Sequence, residues 1–265
     1  MKNFIKGIAI GIATIVPGVS GGTMAIVVGI YDDLIHAVSS FFKEIKKNMI
    51  FLMIVGLGAV LGIISFGSIV DYGLEHFKYP VTFLFLGIVC GGIPILYKQS
   101  KAKEHNKKDL IFVIIGFLIV ILMTFYKDTV VNLSGATGIA NFAFLVFAGV
   151  IIAVALILPG ISTSFLLLTF GLYDKTIDAI KTIDLNYLIP ILIGTMLGVI
   201  FTTKLLENFL IKQPSKTYLL ILGFVGGSII EVFPGMPSGL NIIYSILTFI
   251  IGLVATKYVS EKYND

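Results

Sequence analysis

A short break in the middle of an apolar stretch occurs twice in this chain. The first reads Pro-Gly-Val-Ser-Gly-Gly-Thr over 17–23, and the second reads Pro-Gly-Ile-Ser-Thr-Ser over 159–164, an offset of 142 residues. Each is followed by a matching tetrapeptide, Gly-Ile-Tyr-Asp over 29–32 and Gly-Leu-Tyr-Asp over 171–174. Pro and Gly interrupt a helix, and inside a membrane the released backbone groups need partners in protein or in a water-filled cavity. A broken helix used twice is typical of transporters.

The composition is that of a membrane protein. Apolar residues make up 57% of the 265 residues and charged residues only 13%, whereas soluble domains carry about a quarter charged residues. All 19 basic residues are lysines at the ends of apolar runs, which is typical of topology signals and unlike a nucleic-acid-binding surface. A single cysteine, Cys90, excludes an internal disulfide. We therefore expect a polytopic membrane protein with no nucleic-acid partner.

Hydropathy predicts an all-α membrane protein built from two similar halves. Each half begins with an interrupted apolar segment and continues with three plain spans. We predict a first repeat over 1–128 and a second over 139–265, with the interrupted segments folded as hairpins over 4–37 and 139–180. The predicted plain spans are 49–70, 81–97, 110–126, 187–203, 218–233 and 242–258.

Glycines repeat along with the hairpins. Gly58 and Gly62 in the first half match Gly194 and Gly198 in the second, at an offset of 136 residues. Small residues four positions apart allow helices to approach closely in a membrane. We interpret these glycines as helix-packing positions.

The distribution of lysines decides how each hairpin sits in the membrane. If both hairpins are re-entrant and the N-terminus is cytoplasmic, 15 lysines lie inside and 4 outside; if each broken segment crosses once, the division is 9 to 10. Only the first division follows the positive-inside rule. Three crossings per half then place the second half upside down, as an inverted repeat with both termini in the cytoplasm. The first arm of the second hairpin, 142–158, is almost long enough to span, so whether this hairpin is fully re-entrant stays open.

The two broken loops form the candidate binding site. A helix that begins in mid-membrane directs unpaired N–H groups and a partial positive charge at the loop before it, which suits a phosphate or carboxylate. Glycines allow close backbone approach, and hydroxyl groups add donors or N-caps. A capped turn needs the same residue types without a ligand, but two such loops brought together by inversion favour an anion site. The candidate residues are Pro17, Gly18, Ser20, Gly21, Gly22, Thr23, Pro159, Gly160, Ser162, Thr163 and Ser164.

Other ionisable residues are candidates for gating or ion coupling. Tyr31-Asp32 and Tyr173-Asp174 end the return arms at matching places, although acids and tyrosines are also common at membrane interfaces. Glu231 lies near the end of a span, where it either carries a coupling proton or faces water. The three histidines lie in or beside predicted loops, where we expect them to be solvated. We expect no metal and no cofactor, with a proton or sodium gradient as the possible driving force.

The loops resemble the polyprenyl-phosphate (undecaprenyl-phosphate) transporter family, PopT, and the resemblance covers essentially the whole chain. It is carried by the segment 17–23 with Gly-Ile-Tyr over 29–31, and by 159–162 with Gly-Leu-Tyr over 171–173. The resemblance implies a flippase in the bacterial cytoplasmic membrane. Its substrate would be undecaprenyl phosphate, returned from the outer to the inner leaflet for cell-envelope synthesis.

Two residues depart from this family pattern. Thr163 stands where the family usually has glycine, which affects the expected shape of the second loop. Thr14 stands where an acid is expected three residues before the proline, which puts any proton role at this position in doubt.

Two other functions use similar elements. A transporter or channel for a small soluble anion is also compatible with inverted hairpins. A membrane lipid phosphatase fits less well, because such enzymes generally surround phosphate with His and Arg or Lys, or with metals. This chain has no arginine and no two histidines close in sequence, so we expect no enzyme.

Overall fold

The computed structural model describes residues 1–16, 19–101, 107–125, 138–163, 166–167 and 170–263, and within these ranges every regular element is helical. The helices are α1 (Lys2–Ile15), α2 (Gly21–Val27), α3 (Tyr31–Ser39), α4 (Ile45–His76), α5 (Lys78–Lys101), α6 (Ile111–Phe125), α7 (Ile139–Ile157), α8 (Tyr173–Thr182), α9 (Leu185–Lys212), α10 (Pro214–Val232) and α11 (Leu240–Tyr263), with a short 3-10 turn (Lys107–Leu110) before α6.

Helices α4, α5, α6, α7, α9, α10 and α11 are each long and apolar enough to cross a membrane. Six of them coincide with the six predicted plain spans, and the seventh, α7, is the long first arm of the second predicted hairpin. The chain is therefore a multi-pass, all-helical membrane protein, as the hydropathy predicts.

The first hairpin breaks where the sequence predicts. α1 has 14 residues, about 21 Å of helix, which is shorter than a hydrocarbon core of about 30 Å. Ser20 caps α2, because its Oγ accepts a hydrogen bond from the Thr23 N–H at 3.1 Å. The chain then turns through 119° between α2 and α3. Gly29 at this turn has φ +68°, and its counterpart Gly171 has φ +62°, which explains glycine at both places.

Helix α2 lies at the centre of the molecule. Met24, Ala25, Ile26 and Val27 are all buried in the main hydrophobic core, and α2 contacts α1, α5, α7 and α11. Helix α2 is therefore surrounded by other helices of the protein.

The predicted packing glycines bring helix backbones into contact. A Cβ atom on Gly58 would lie 2.2 Å from the carbonyl oxygen of Phe4, and one on Gly194 would lie 2.0 Å from that of Val146. Helix α1 thus packs directly on α4, and α7 packs in the same way on α9. This confirms that the glycines are packing positions.

The last two helices of each half pack on helices of the other half, α5 on α11 and α6 on α10. A Cβ atom on Gly87 would lie 2.1 Å from the carbonyl oxygen of Phe249, and one on Gly223 would lie 2.2 Å from that of Val113. Each residue of the first pair is the repeat counterpart of a residue in the second, at the offset of 136. Equivalent contacts thus recur in both halves, while the opposite orientation of the halves in the membrane stays a prediction.

Candidate functional site

The two broken loops touch each other through one cluster of hydrogen bonds. The Gly160 N–H of the second loop donates to Ser20 Oγ at 3.0 Å and to Thr23 Oγ1 at 3.1 Å in the first hairpin. These two hydroxyl groups are also bonded to each other, 2.8 Å apart. Residues 140 positions apart in the chain therefore form one site.

The hydrogen bonds leave donors for a ligand. Ser20 and Thr23 have two hydroxyl protons, and their mutual bond uses only one of them. The N–H groups of Gly21 and Gly22, in the first turn of α2, have no acceptor among the described residues, as is usual at the start of a helix. Within the part of the chain that the structure describes, one hydroxyl proton and two N–H groups of the first hairpin thus have no acceptor.

These donors line a cavity of about 680 Å³. Ser20, Gly21 and Gly22 contribute from the first break, and Ser162 and Thr163 contribute from the second. The rest of the wall is mostly apolar and comes chiefly from α1, α3 and the end of α7, and none of the described residues that line it is charged. Its residues are Ile10, Thr14, Ile15, Val16, Val19, Ala25, Tyr31, Leu34, Ile35, Val38, Ala155, Leu156, Ile157, Ile161 and Tyr173.

Gly160 lies where no side chain fits. Its φ is +81°, and a Cβ atom would lie 2.5 Å from the carbonyl carbon of Phe224 on α10. Gly22 is similarly close to the second loop, since its Cβ would lie 3.3 Å from the Cα of Pro159. The glycines therefore permit the close approach of the two loops and of α10, which Cβ atoms would prevent.

The predicted site residues fall into three groups. Most of the described ones line the cavity, while Thr23 and Gly160 lie beside it in the hydrogen-bond cluster and Pro159 packs against Gly22. Thr14 also lines the cavity, with its hydroxyl donating to the Gly11 carbonyl at 2.7 Å, so it brings no charge. Three predicted residues lie outside the described part of the chain: Pro17, Gly18 and Ser164.

The two tyrosines of the repeated motif both reach the cavity, but they differ in their contacts. Tyr31 is only 5% exposed, and its hydroxyl donates to the Ile157 carbonyl at 2.9 Å. Tyr173 is half-buried. Tyr31 thus joins the first hairpin to the end of α7.

The predicted acidic residues lie away from the cavity lining. Asp32 accepts a hydrogen bond from the Tyr218 hydroxyl of α10. Asp174 is exposed on α8, and Glu231 is half-buried in the last turn of α10. None of these three acids lines the cavity, so their roles in gating or coupling stay predictions.

One polar cluster is not predicted by the sequence. Glu207 of α9 lies 2.5 Å from His36 Nδ1 and also accepts a hydrogen bond from the Ser39 hydroxyl. His36 was expected to be simply solvated; its side chain is 57% exposed, but it is paired with an acid 171 residues away. Only the packing of α3 on α9 brings these groups together, so no local sequence pattern predicts the cluster.

Taken together, the fold and the cavity define an integral membrane protein of the transporter type: two broken helices meet at a polar point within an otherwise apolar cavity. The sequence model of the undecaprenyl phosphate translocase-like family matches residues 10–245. The chain therefore belongs to the undecaprenyl phosphate translocase-like family, and the resemblance seen in the loops is confirmed.

Two relatives carry the name polyprenyl-phosphate transporter. The one from Staphylococcus aureus is 35% identical over 96% of this chain and 94% of its own length. The one from Vibrio cholerae is 26% identical over 88% of this chain and 78% of its own length. These names describe transporters and not enzymes. No solved structure matches the chain.

Proposed function

We propose that this protein transports polyprenyl phosphate in the bacterial cytoplasmic membrane, returning it from the outer to the inner leaflet for cell-envelope synthesis. The observation that carries the proposal is the meeting of the two breaks, through Ser20, Thr23 and Gly160, at the wall of an otherwise apolar cavity. Polyprenyl phosphate likewise combines a polar phosphate with a long apolar isoprenoid chain, so each part of the lipid matches one part of the cavity. The names of the family and of the relatives support this substrate.

The available donors suit a phosphate head group. Gly21 and Gly22, whose N–H groups have no acceptor among the described residues, line the cavity together with Ser20, whose hydroxyl is paired with that of Thr23. Hydrogen bonds to a charged group contribute roughly 1.5 to 3 kcal/mol each. Since none of the described residues lining the cavity is charged, the desolvation of the phosphate offsets part of this gain, which favours weak and reversible binding.

The apolar walls suit the lipid part of the substrate. Leu34, Ile35 and Val38 of α3 and Ile10 of α1 contribute apolar side chains to the cavity wall. We infer that the phosphate binds at the breaks while the isoprenoid chain lies along these walls and in the surrounding lipid.

The recurrence of equivalent contacts supports an inverted-repeat mechanism. The pairs Gly58 with Phe4 and Gly194 with Val146 are counterparts, as are Gly87 with Phe249 and Gly223 with Val113. A protein built from two equivalent halves has two conformations of similar energy when the halves exchange roles. In our proposal each conformation exposes the phosphate site to one leaflet.

The movement of polyprenyl phosphate between the two leaflets of proteoliposomes tests the proposal. With fluorescently labelled polyprenyl phosphate and a quencher on one side, Ser20→Ala should slow movement between leaflets several-fold, because it removes a cavity hydroxyl. Ser100→Ala is the matched control, since Ser100 is fully buried and its hydroxyl is bonded to the Tyr97 carbonyl on α5. Thr23→Val should act like Ser20→Ala, and its control is Thr203→Val on α9.

The same vesicles separate lipid transport from the alternatives. Uptake of inorganic phosphate without movement of the lipid would identify a soluble-anion transporter. Release of inorganic phosphate from the lipid would identify a phosphatase. Equal transport rates for Ser20→Ala, Thr23→Val and their controls would show that the broken loops do not form the transport site.

A further inference from the structure

Tyr31 holds the broken end of a helix in the other half of the molecule. Its hydroxyl donates to the carbonyl oxygen of Ile157 at 2.9 Å, and Ile157 is the last residue of α7. Carbonyl groups in the last turn of a helix have no partner within that helix. The Tyr31 hydroxyl therefore supplies a partner that the break in α7 would otherwise leave missing.

The repeat predicts a counterpart to this bond. At the offset of 142 residues, Tyr173 is the counterpart of Tyr31, and Ile15 is the counterpart of Ile157. Ile15 is the last residue of α1, as Ile157 is of α7. All four residues line the same cavity.

That counterpart bond is not made. The hydroxyl of Tyr173 has no hydrogen-bond partner among the described residues, and the side chain is half-buried where Tyr31 is 5% exposed. One turn further along the helices, Ile35 is 3% exposed and its counterpart Ile177 is 36% exposed. The first hairpin is thus closed onto the second half, and the second hairpin is not closed onto the first.

The helix-packing glycines do not share this difference. The glycine contacts between helices occur in both halves with the same counterpart residues, for example Gly58 with Phe4 and Gly194 with Val146. A general difference between the halves would alter these contacts as well. The tyrosine contact therefore distinguishes the two hairpins, although the glycine contacts between helices are repeated.

We propose that Tyr31 and Tyr173 are alternating positioning residues of the transport cycle. In the conformation described here Tyr31 donates to the Ile157 carbonyl; in the opposite conformation Tyr173 donates to the Ile15 carbonyl and Tyr31 is released. The proposal rests on the alternating mechanism proposed above. One neutral hydrogen bond is exchanged for an equivalent one, so the two conformations keep similar energies, as a reversible cycle requires.

Cysteine accessibility tests the exchange without any transported lipid. In a Cys90→Ala background, Ile35→Cys and Ile177→Cys are introduced singly, and the purified protein is labelled with a water-soluble maleimide. Tyr31→Phe removes the bond of the described conformation and should shift the conformational ratio about 2- to 10-fold, the equivalent of one neutral hydrogen bond. Labelling should rise at position 35 and fall at position 177.

Tyr173→Phe should act in the opposite direction, and the variant with both tyrosines replaced by Phe should return close to the original ratio. Tyr244→Phe, at a residue 52% exposed on α11, is the matched control and should leave both rates unchanged. Opposite shifts identify alternating residues, because a purely structural tyrosine would raise labelling at both positions when it is lost.

Faster labelling at both positions in both variants, or no change with Tyr31→Phe, would overturn the exchange. The result is independent of the substrate, since no polyprenyl phosphate is present. If the ratio shifts as expected but the vesicles fail to move polyprenyl phosphate, the exchange stands and the proposed substrate falls.

Discussion

The hydroxyl of Tyr218 donates a hydrogen bond to the Asp32 carboxylate, 2.5 Å away, and so joins α3 of the first half to α10 of the second. Tyr218 is 6% exposed, whereas Asp32 keeps contact with the surroundings. The acid that the sequence presents as part of a gate is therefore also a structural tie between the halves.

Replacing the tyrosine in this tie should lower stability. Tyr218→Phe removes a hydrogen bond to a carboxylate, and because Asp32 stays partly solvated we expect a loss of about 1 kcal/mol in the free energy of unfolding. For a chain of this size the melting temperature in detergent should fall by roughly 2 to 4 °C. Tyr244→Phe is the control, and a melting temperature equal to that of the control would show that the tie contributes nothing.

Gly160 should tolerate no side chain. Gly160→Ala combines a left-handed φ of +81° with a Cβ atom 2.5 Å from the Phe224 backbone. Gly235→Ala is the control, because Gly235 has φ +92° but open space around its Cβ position. The control should lose roughly 1 kcal/mol through backbone strain alone.

The Gly160 variant should lose clearly more stability than the control, together with transport. Melting temperatures and lipid movement in vesicles measure both effects. Equal melting temperatures for the two variants would mean that the backbone around Phe224 gives way, and that Gly160 is needed only for its φ.

The Glu207 cluster should stabilise the packing of α3 on α9. Glu207→Ala removes the acceptor of the Ser39 hydroxyl and the partner of His36. Because His36 is more than half exposed, we expect a modest loss of about 1 kcal/mol. Faster proteolysis near residues 40–44, relative to the conservative Glu207→Gln variant, would report the loosening of α3. Identical digestion of the two variants would argue against this role.

The lysine distribution makes a prediction about topology. Phe42→Cys, at a residue 76% exposed after α3, should react with an impermeant maleimide only from the cytoplasm. Ile183→Cys, at a residue 70% exposed between α8 and α9, should react only from outside. Intact cells and inverted vesicles, both with Cys90→Ala, provide the two sides. Reaction of both positions from the same side would rule out the inverted arrangement.

Much of the fold could be read from local sequence. Runs of apolar residues predict the membrane-crossing helices, and Pro with Gly predicts the breaks. Both predictions succeed because each depends only on residues within one helix length. The N-cap at Ser20 and the glycines at Gly58 and Gly194 were also predictable, since each follows from the chemistry of a single position.

The site was only partly predictable. The residues of both breaks were identified as candidates, but the donation from Gly160 to Ser20 and Thr23 depends on the distance between two loops 140 residues apart. For Asp32 and His36 the sequence indicates only their position along the chain. Their partners, Tyr218 and Glu207, come from helices that only tertiary packing brings near.

The sequence by itself determined which segments are helical, where the helices break and which residue types stand at the breaks, because helix formation and termination are governed by near neighbours. Tertiary structure alone decided that Tyr31 has a partner while Tyr173 has none among the described residues, although their sequence motifs are nearly the same. Two similar sequences encode similar hairpins, but a hydrogen bond across the molecule requires a particular relative placement of the two halves. That placement depends on the summed packing of all the helices.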